Sequence, residues 1–200
     1  MIRDLDDTIA AFLKALAPAG SELAGADITF DIPDAKWRSR ITKLTVNCYL
    51  YDIRENRGMR TNETLTVYSP DRSKSARIRP PVRIDCGYCI TTWSTASTDP
   101  VLEEHRLLSQ VLLVLLQNET IPAAYLQGTL QTQIPPYPTV IASQEGVKNL
   151  PEFWNALDQR LKPSLNYVVA LAMMIDAIPA DSALSASVAT YTVQTDQKTP

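Results

Sequence analysis

The 200-residue chain carries one histidine, three cysteines and six glycines. A single histidine, His105, leaves no H-E-x-x-H pattern, and the scarce glycines form neither a dinucleotide-binding G-x-G-x-x-G nor a P-loop. G-x-S-x-G, the turn that presents a nucleophilic serine, is also missing. An odd, small cysteine count argues against a disulfide framework. Cys86 and Cys89 make a C-x-x-C, but within "VRIDCGYCITTW", which reads as a strand. Residues three apart on a strand face opposite ways, so the two thiols do not share a ligand. With no second C-x-x-C, four zinc ligands are not assembled. The three cysteines read as small semi-buried side chains, and no catalytic, cofactor or metal residue is expected. Long apolar runs are lacking too: "QVLLVLLQ" and "YVVALAMMI" fall far short of a bilayer span. The opening "MIRDLDDTIAAF" is acidic where a signal peptide is basic, so assembly in the cytoplasm is expected.

What is present is an ordinary globular composition, fourteen prolines and a segregated charge. The length suits one domain with a real core, and the prolines indicate stiff connections between short elements. Net charge is −3 overall, yet residues 36–83 carry twelve basic and four acidic side chains. The flanks are acidic: residues 1–35 have two basic and seven acidic side chains, residues 84–200 five and eleven. A basic segment inside an acidic chain suits docking on an acidic neighbour, including a second copy. Nucleic acid is not expected as a partner, because the chain as a whole is acidic.

The segment begins in "TVNCYLYDIRENRGMR", residues 45–60. Val46, Cys48 and Leu50 alternate with Asn47, Tyr49 and Tyr51 as in a half-buried strand, and the arginines then arrive. Arg54, Arg57, Arg60, Arg72, Lys74, Arg77 and Arg79 are the candidate interface residues, on a protruding basic hairpin or long loop over residues 54–80. "ETLTVY" within it is strand-like and "SPDRSK" turn-like.

Elsewhere, Ile2, Leu5, Ile9, Phe12, Leu13 and Leu16 recur at helical spacing and predict an amphipathic helix over 2–16. Strands are predicted over 26–33, 44–53, 82–93, 138–143 and 166–175, with a turn or helical turn over 34–40. Asp99 as N-cap and Pro100 at the first helical position open a helix over 100–117. Its apolar residues occupy more than one face, which predicts the central core helix. A short helical piece over 122–127 and a helix over 149–157 complete the list. The order implies an α+β domain, a mixed and mainly antiparallel sheet packed with helices. Residues 1–176 read as this domain and 177–200 as an extension rich in Ala, Ser and Thr.

Two acid–base candidates can be named. His105 stands beside Glu103 and Glu104, but adjacent helical residues project in different directions, so a surface histidine is the expectation. Asp52 and Asp85 on neighbouring strands could form a carboxylate pair; pairing with arginines such as Arg54 or Arg83 is expected instead. Trp37, Trp93 and Trp154 each begin or follow an element, as core or rim aromatics do.

Seven segments in fixed order carry a family resemblance: "MIRDLDDTIAAFL", "DIPDAKW", "TVNCYLYDIRENRGMR", "RPPVRIDCGYCITTW", "DPVLEEHRLLSQVLLVLLQNETIP", "LPEFWNAL" and "LKPSLNYVV". Together they resemble the N-terminal domain of the cap, or tail-terminator, protein of extracellular contractile injection systems, which are phage-tail-like particles. The resemblance spans roughly residues 1–175. It implies a tail-terminator-like fold and a structural role without catalysis. It implies a homohexamer seated on the last sheath ring and the last inner-tube ring, in a particle either released or membrane-attached. The alternative from the residues themselves is a cytosolic enzyme or small-molecule binder around Asp85 and His105, or a nucleic-acid binder through residues 54–79.

Overall fold

The computed structural model describes residues 1–68, 73, 75–133, 137–143 and 146–175. Two compact units divide the chain. Met1–Thr61 and Pro81–Ile175 make the first, and Asn62–Pro80 belongs to the second. The extension expected from residue 177 lies outside the described residues.

Helix α1 (Ile2–Ala15) opens the first unit and buries Leu5, Thr8, Ile9, Phe12 and Leu13, three to four residues apart. Leu5, Ile9, Phe12 and Leu13 are the stripe that its spacing predicted; Ile2 is exposed at the start of the helix, and Leu16 is half-buried just past its end. A short helix α2 (Glu22–Gly25) and strand β1 (Asp27–Thr29) follow, then α3 (Ala35–Arg38), whose first turn Asp34 caps through its side chain. The long strand β2 runs from Thr45 to Glu55. In the second unit, β3 (Leu65–Tyr68) pairs with β4 (Ser75–Ile78) as an antiparallel hairpin. Back in the first unit come β5 (Val82–Trp93), α4 (Pro100–Leu116), β6 (Thr139–Ile141), α5 (Leu150–Ala156) and β7 (Leu165–Met173).

The main sheet has the order β1-β2-β5-β7-β6. Only β1 runs parallel to its neighbour; β2–β5, β5–β7 and β7–β6 are antiparallel. A mixed, mainly antiparallel α+β domain is therefore the observed class. Strand β5 is central and buried on both faces, and its period of two sorts its side chains. Cys86, Tyr88 and Ile90 join the core under α1 and α4, while Cys89 and Trp93 join Trp37, Trp154 and Leu157 on the other face. The two cysteines of the C-x-x-C thus belong to different cores, as their spacing required.

Three expectations need correction. Asp99 does precede α4, but its backbone is left-handed (φ 50°) and its side chain caps nothing. Helix α4 buries one stripe, Leu107, Val111, Val114 and Leu115, and leaves Val101, Leu102, Leu113 and Leu116 exposed. It packs on one face of the sheet instead of being surrounded. The helical piece expected over 122–127 is a single 3₁₀ turn, Ala123–Tyr125, and a second, Gly128–Thr132, follows beyond it.

A candidate assembly surface

The arginines after β2 are fixed by the end of that strand. A register irregularity between Leu50 and Asp52 interrupts its pairing with β5. Such a bulge adds twist and re-aims the residues beyond it. Arg54 then lies two residues from Asp52 on the same side, with Nε 2.7 Å from Oδ2. Arg60 approaches Glu55 at 3.5 Å. Between them Arg57–Met59 form a 3₁₀ turn. Asn56 clamps this turn to β5: its backbone N–H donates to Arg83 O at 2.9 Å, its Nδ2 donates to Asp85 Oδ1 at 3.0 Å, and its Oδ1 accepts from Met59 N at 3.0 Å. Arg57 is exposed and makes no ion pair among the described residues, and Ile53 and Met59 are exposed beside it. In the second unit Arg77 is exposed on β4 and Arg79 just after it. Arg72 and Lys74 lie outside the described residues. The stretch is less uniformly basic than its composition: Asp52 and Glu55 offset two arginines, and Arg83 is buried.

The opposite end of the sheet is built around the start of α4. Glu104 accepts from Ser94 N at 3.0 Å and pairs with Lys162 at 3.0 Å, both side chains largely buried. Lys162 Nζ also sits 3.7 Å from the centre of the Trp93 indole, with Arg38 at 5.7 Å. Burial pulls the Lys162 pKa down, and Glu104 opposes that shift. Glu103 accepts from the Ser94 hydroxyl. Asp99, Val101 and Leu102 remain exposed next to this network.

The acid–base candidates do not converge. His105 is exposed on α4, with Glu104 turned away to Lys162. Asp52 pairs with Arg54 as expected, whereas Asp85 accepts from Asn56 instead of an arginine. A cavity of about 200 Å³ is lined by Cys89, Ser143, Gly146 and Asn166 among others, and a second of about 470 Å³ by Leu150 and 161–164. Neither includes Asp85 or His105. Burial raises all three thiol pKa values, to about 11 for Cys86 and Cys89. Such thiols carry little thiolate near neutral pH and are poor nucleophiles and ligands. Among the described residues no cluster of His, Cys, Asp and Glu could hold a metal ion. No helix among them is long and apolar enough to cross a membrane.

Sequence reasoning found the arginines by counting them. It missed that Ile53 and Met59 are exposed: Ile53 ends the predicted strand but falls off the Val46, Cys48 and Leu50 alternation beyond the register irregularity, and Met59 is an isolated apolar residue in a polar run. It also missed Val101 and Leu102, whose one available signal is that they stand off the stripe defined by Leu107, Val111 and Val114.

Comparison with known proteins adds a family and a fold. A family model described as the Pvc16 N-terminal domain matches residues 4–187. No match is found among curated proteins. Two solved structures share the fold. One is the PVC sheath/tube terminator of an extracellular contractile injection system in its extended state: TM-score 0.64, 24% identity, covering all of this chain and 65% of that one. The other is the anti-feeding prophage tube-terminating cap: TM-score 0.60, 24% identity, covering 96% of this chain and 62% of that one. The chain thus spans less than two thirds of either protein's length.

Proposed function

The chain belongs to the Pvc16 N-terminal domain family, and from that premise we propose that it is the subunit of a terminating cap on a phage-tail-like contractile particle. Six copies form a ring that sits on the last inner-tube ring and the last sheath ring. The ring stops their growth and holds sheath to tube during contraction. The work is mechanical and needs no catalysis; residues 1–176 carry it, with 177–200 an extension. Assembly takes place in the cytoplasm, and the particle is then released or stays membrane-attached. The observation that carries this reading is the family match across residues 4–187, in a chain with the fold of two solved terminators.

Within this reading the basic residues are an assembly interface. Arg54, Arg57, Arg60, Arg72, Lys74, Arg77 and Arg79 face an acidic partner, either the neighbouring subunit or the tube rim. Charge complementarity of this kind sets encounter rate and register more than affinity. Negative-stain microscopy of the purified protein mixed with tubes tests the proposal. Six-fold rings on tube ends are expected. Protein that stays monomeric and leaves tube ends bare would sink the reading, and a bound small molecule or nucleic acid in their place would favour the enzyme or nucleic-acid alternative.

A further inference from the structure

A closed ring of identical subunits is head-to-tail, so each copy needs two unlike surfaces that fit one another. Resting on the ring reading above, we infer that the Arg57 end of the sheet docks on the start of α4 in the next copy. The two surfaces lie at opposite ends of the sheet within the first compact unit. Glu55 at the end of β2 pairs with Ile84 near the start of β5, whereas Trp93 at the end of β5 pairs with Thr45 and leads into α4.

Their chemistry is complementary. The first surface presents Ile53 and Met59, 50% and 40% exposed, around Arg57. The second presents Val101 and Leu102, 56% and 59% exposed, beside Asp99. The other charges nearby are already engaged: Arg54 with Asp52, Arg60 with Glu55, Asp85 with Asn56, Glu104 with Lys162, Glu103 with the Ser94 hydroxyl, and Arg38 with the Ser94 carbonyl. Arg57 and Asp99 therefore stand as the opposite charges without a partner among the described residues. Asp99 holds a left-handed backbone and does not cap the helix it precedes. A non-glycine residue kept in that region is a place to look for function, and its carboxylate is left available.

Both surfaces are preorganised. Asn56 clamps the Arg57 turn to β5, and the Ser94–Glu104–Lys162 network fixes the first turn of α4. Little side-chain and loop ordering then remains to be done on docking. Arg and Met flanked by apolar surface is also the composition that protein interfaces favour. The apolar pairs supply burial, and the Arg57–Asp99 pair fixes register and rejects the reversed arrangement.

The test uses the full chain with Arg57→Cys and Asp99→Cys together, the native cysteines all being buried. Oxidation should give a ladder of covalent oligomers ending at a closed ring, with neither single variant forming more than dimers. Separately, Arg57→Glu should raise the concentration for half-assembly in mass photometry by about tenfold or more. Adding Asp99→Arg should restore it to within about threefold of wild type. Thermal melts that match wild type exclude a folding defect. If rings form and cap tubes, but neither cross-link nor rescue is seen, this interface is overturned while the cap reading stands. If wild-type protein neither forms rings nor caps tubes, both fall.

Discussion

Two neighbouring aspartates on α1 have pKa values shifted in opposite directions, because of what each touches. Asp4 accepts from the Thr129 hydroxyl and, at 3.1 Å, from its backbone N–H, and lies 3.0 Å from the terminal amine. The Thr129 hydroxyl is the largest influence, followed by the amine, and the carboxyl falls to about 2. A depressed carboxylate contributes stability above its unfolded value near 3.8 and loses it as pH falls toward 2. Asp4→Asn should therefore lower Tm at pH 7, with the gap narrowing below pH 4; a pH-independent gap would refute the linkage. Asp6 accepts from the buried Tyr88 hydroxyl at 2.7 Å, yet burial outweighs that hydrogen bond and raises its pKa. For a raised carboxyl, ionisation costs the folded state, and the cost disappears as pH falls toward 3.8. Asp6→Asn should match or exceed wild-type Tm at pH 7 and lose any advantage near pH 4. Gly128 belongs to the same corner. Its φ is +54°, and an added Cβ would lie 2.6 Å from the Asp4 carboxyl carbon. Gly128→Ala should destabilise by about 1–3 kcal/mol in chemical denaturation, from backbone strain and displacement of Asp4.

At the scale of elements, the extent of β5 and the start of α4 were legible. An unbroken run rich in β-branched and aromatic residues marked β5 from Val82 to Trp93, and Asp99-Pro100 placed the start of α4. Strand β1 was visible, but its parallel pairing with β2 was not: a parallel neighbour needs a crossover, here through α3, and leaves no local pattern. The tie between α4 and the stretch before β7 was equally hidden. Glu104 and Lys162 stand far apart in sequence, and nothing local marks either as a buried charge until the fold encloses them beside Trp93. Breaking the pair leaves one largely buried charge without its partner, so Glu104→Gln should cost on the order of 3 kcal/mol. Glu104→Gln combined with Lys162→Met should recover part of that loss; strictly additive losses in a double-mutant cycle would show that the two do not act together. The cysteines were legible by face alone. Cys86→Ala with Cys89→Ser removes one thiol from each core and should fold, losing at most about 3 kcal/mol. Stoichiometric zinc in the wild type, lost together with the fold in this variant, would contradict it.

For the whole molecule, the sequence revealed the sign and place of the charge but not its local cancellation. Arg54 and Arg60 find Asp52 and Glu55 only because a bulged strand runs directly into a clamped turn. Of what is left, Arg57, Arg77 and Arg79 are exposed, and these positions lie off the apolar periodicity that builds the core. Reversing Arg57, Arg60, Arg72 and Arg77 to Glu should then leave the fold of the monomer intact, with an unchanged far-ultraviolet spectrum. Like charges would then meet the acidic partner proposed above and slow encounter. Particles should grow tubes and sheaths of uncontrolled length, or show sheaths that contract away from the tube. Wild-type capping should weaken as salt rises, because exposed charges are screened over about 8 Å at physiological ionic strength. The apolar contacts proposed above for Met59 and Leu102 would not fade in the same way. A wild type that keeps capping at high salt, while the four-fold variant fails at every salt, would place the defect in desolvated contact instead of steering. Particle lengths and capped ends, counted by electron microscopy across a salt series for both proteins, separate the two. If the variant caps normally throughout, these arginines are a solvated loop and the assembly surface lies elsewhere.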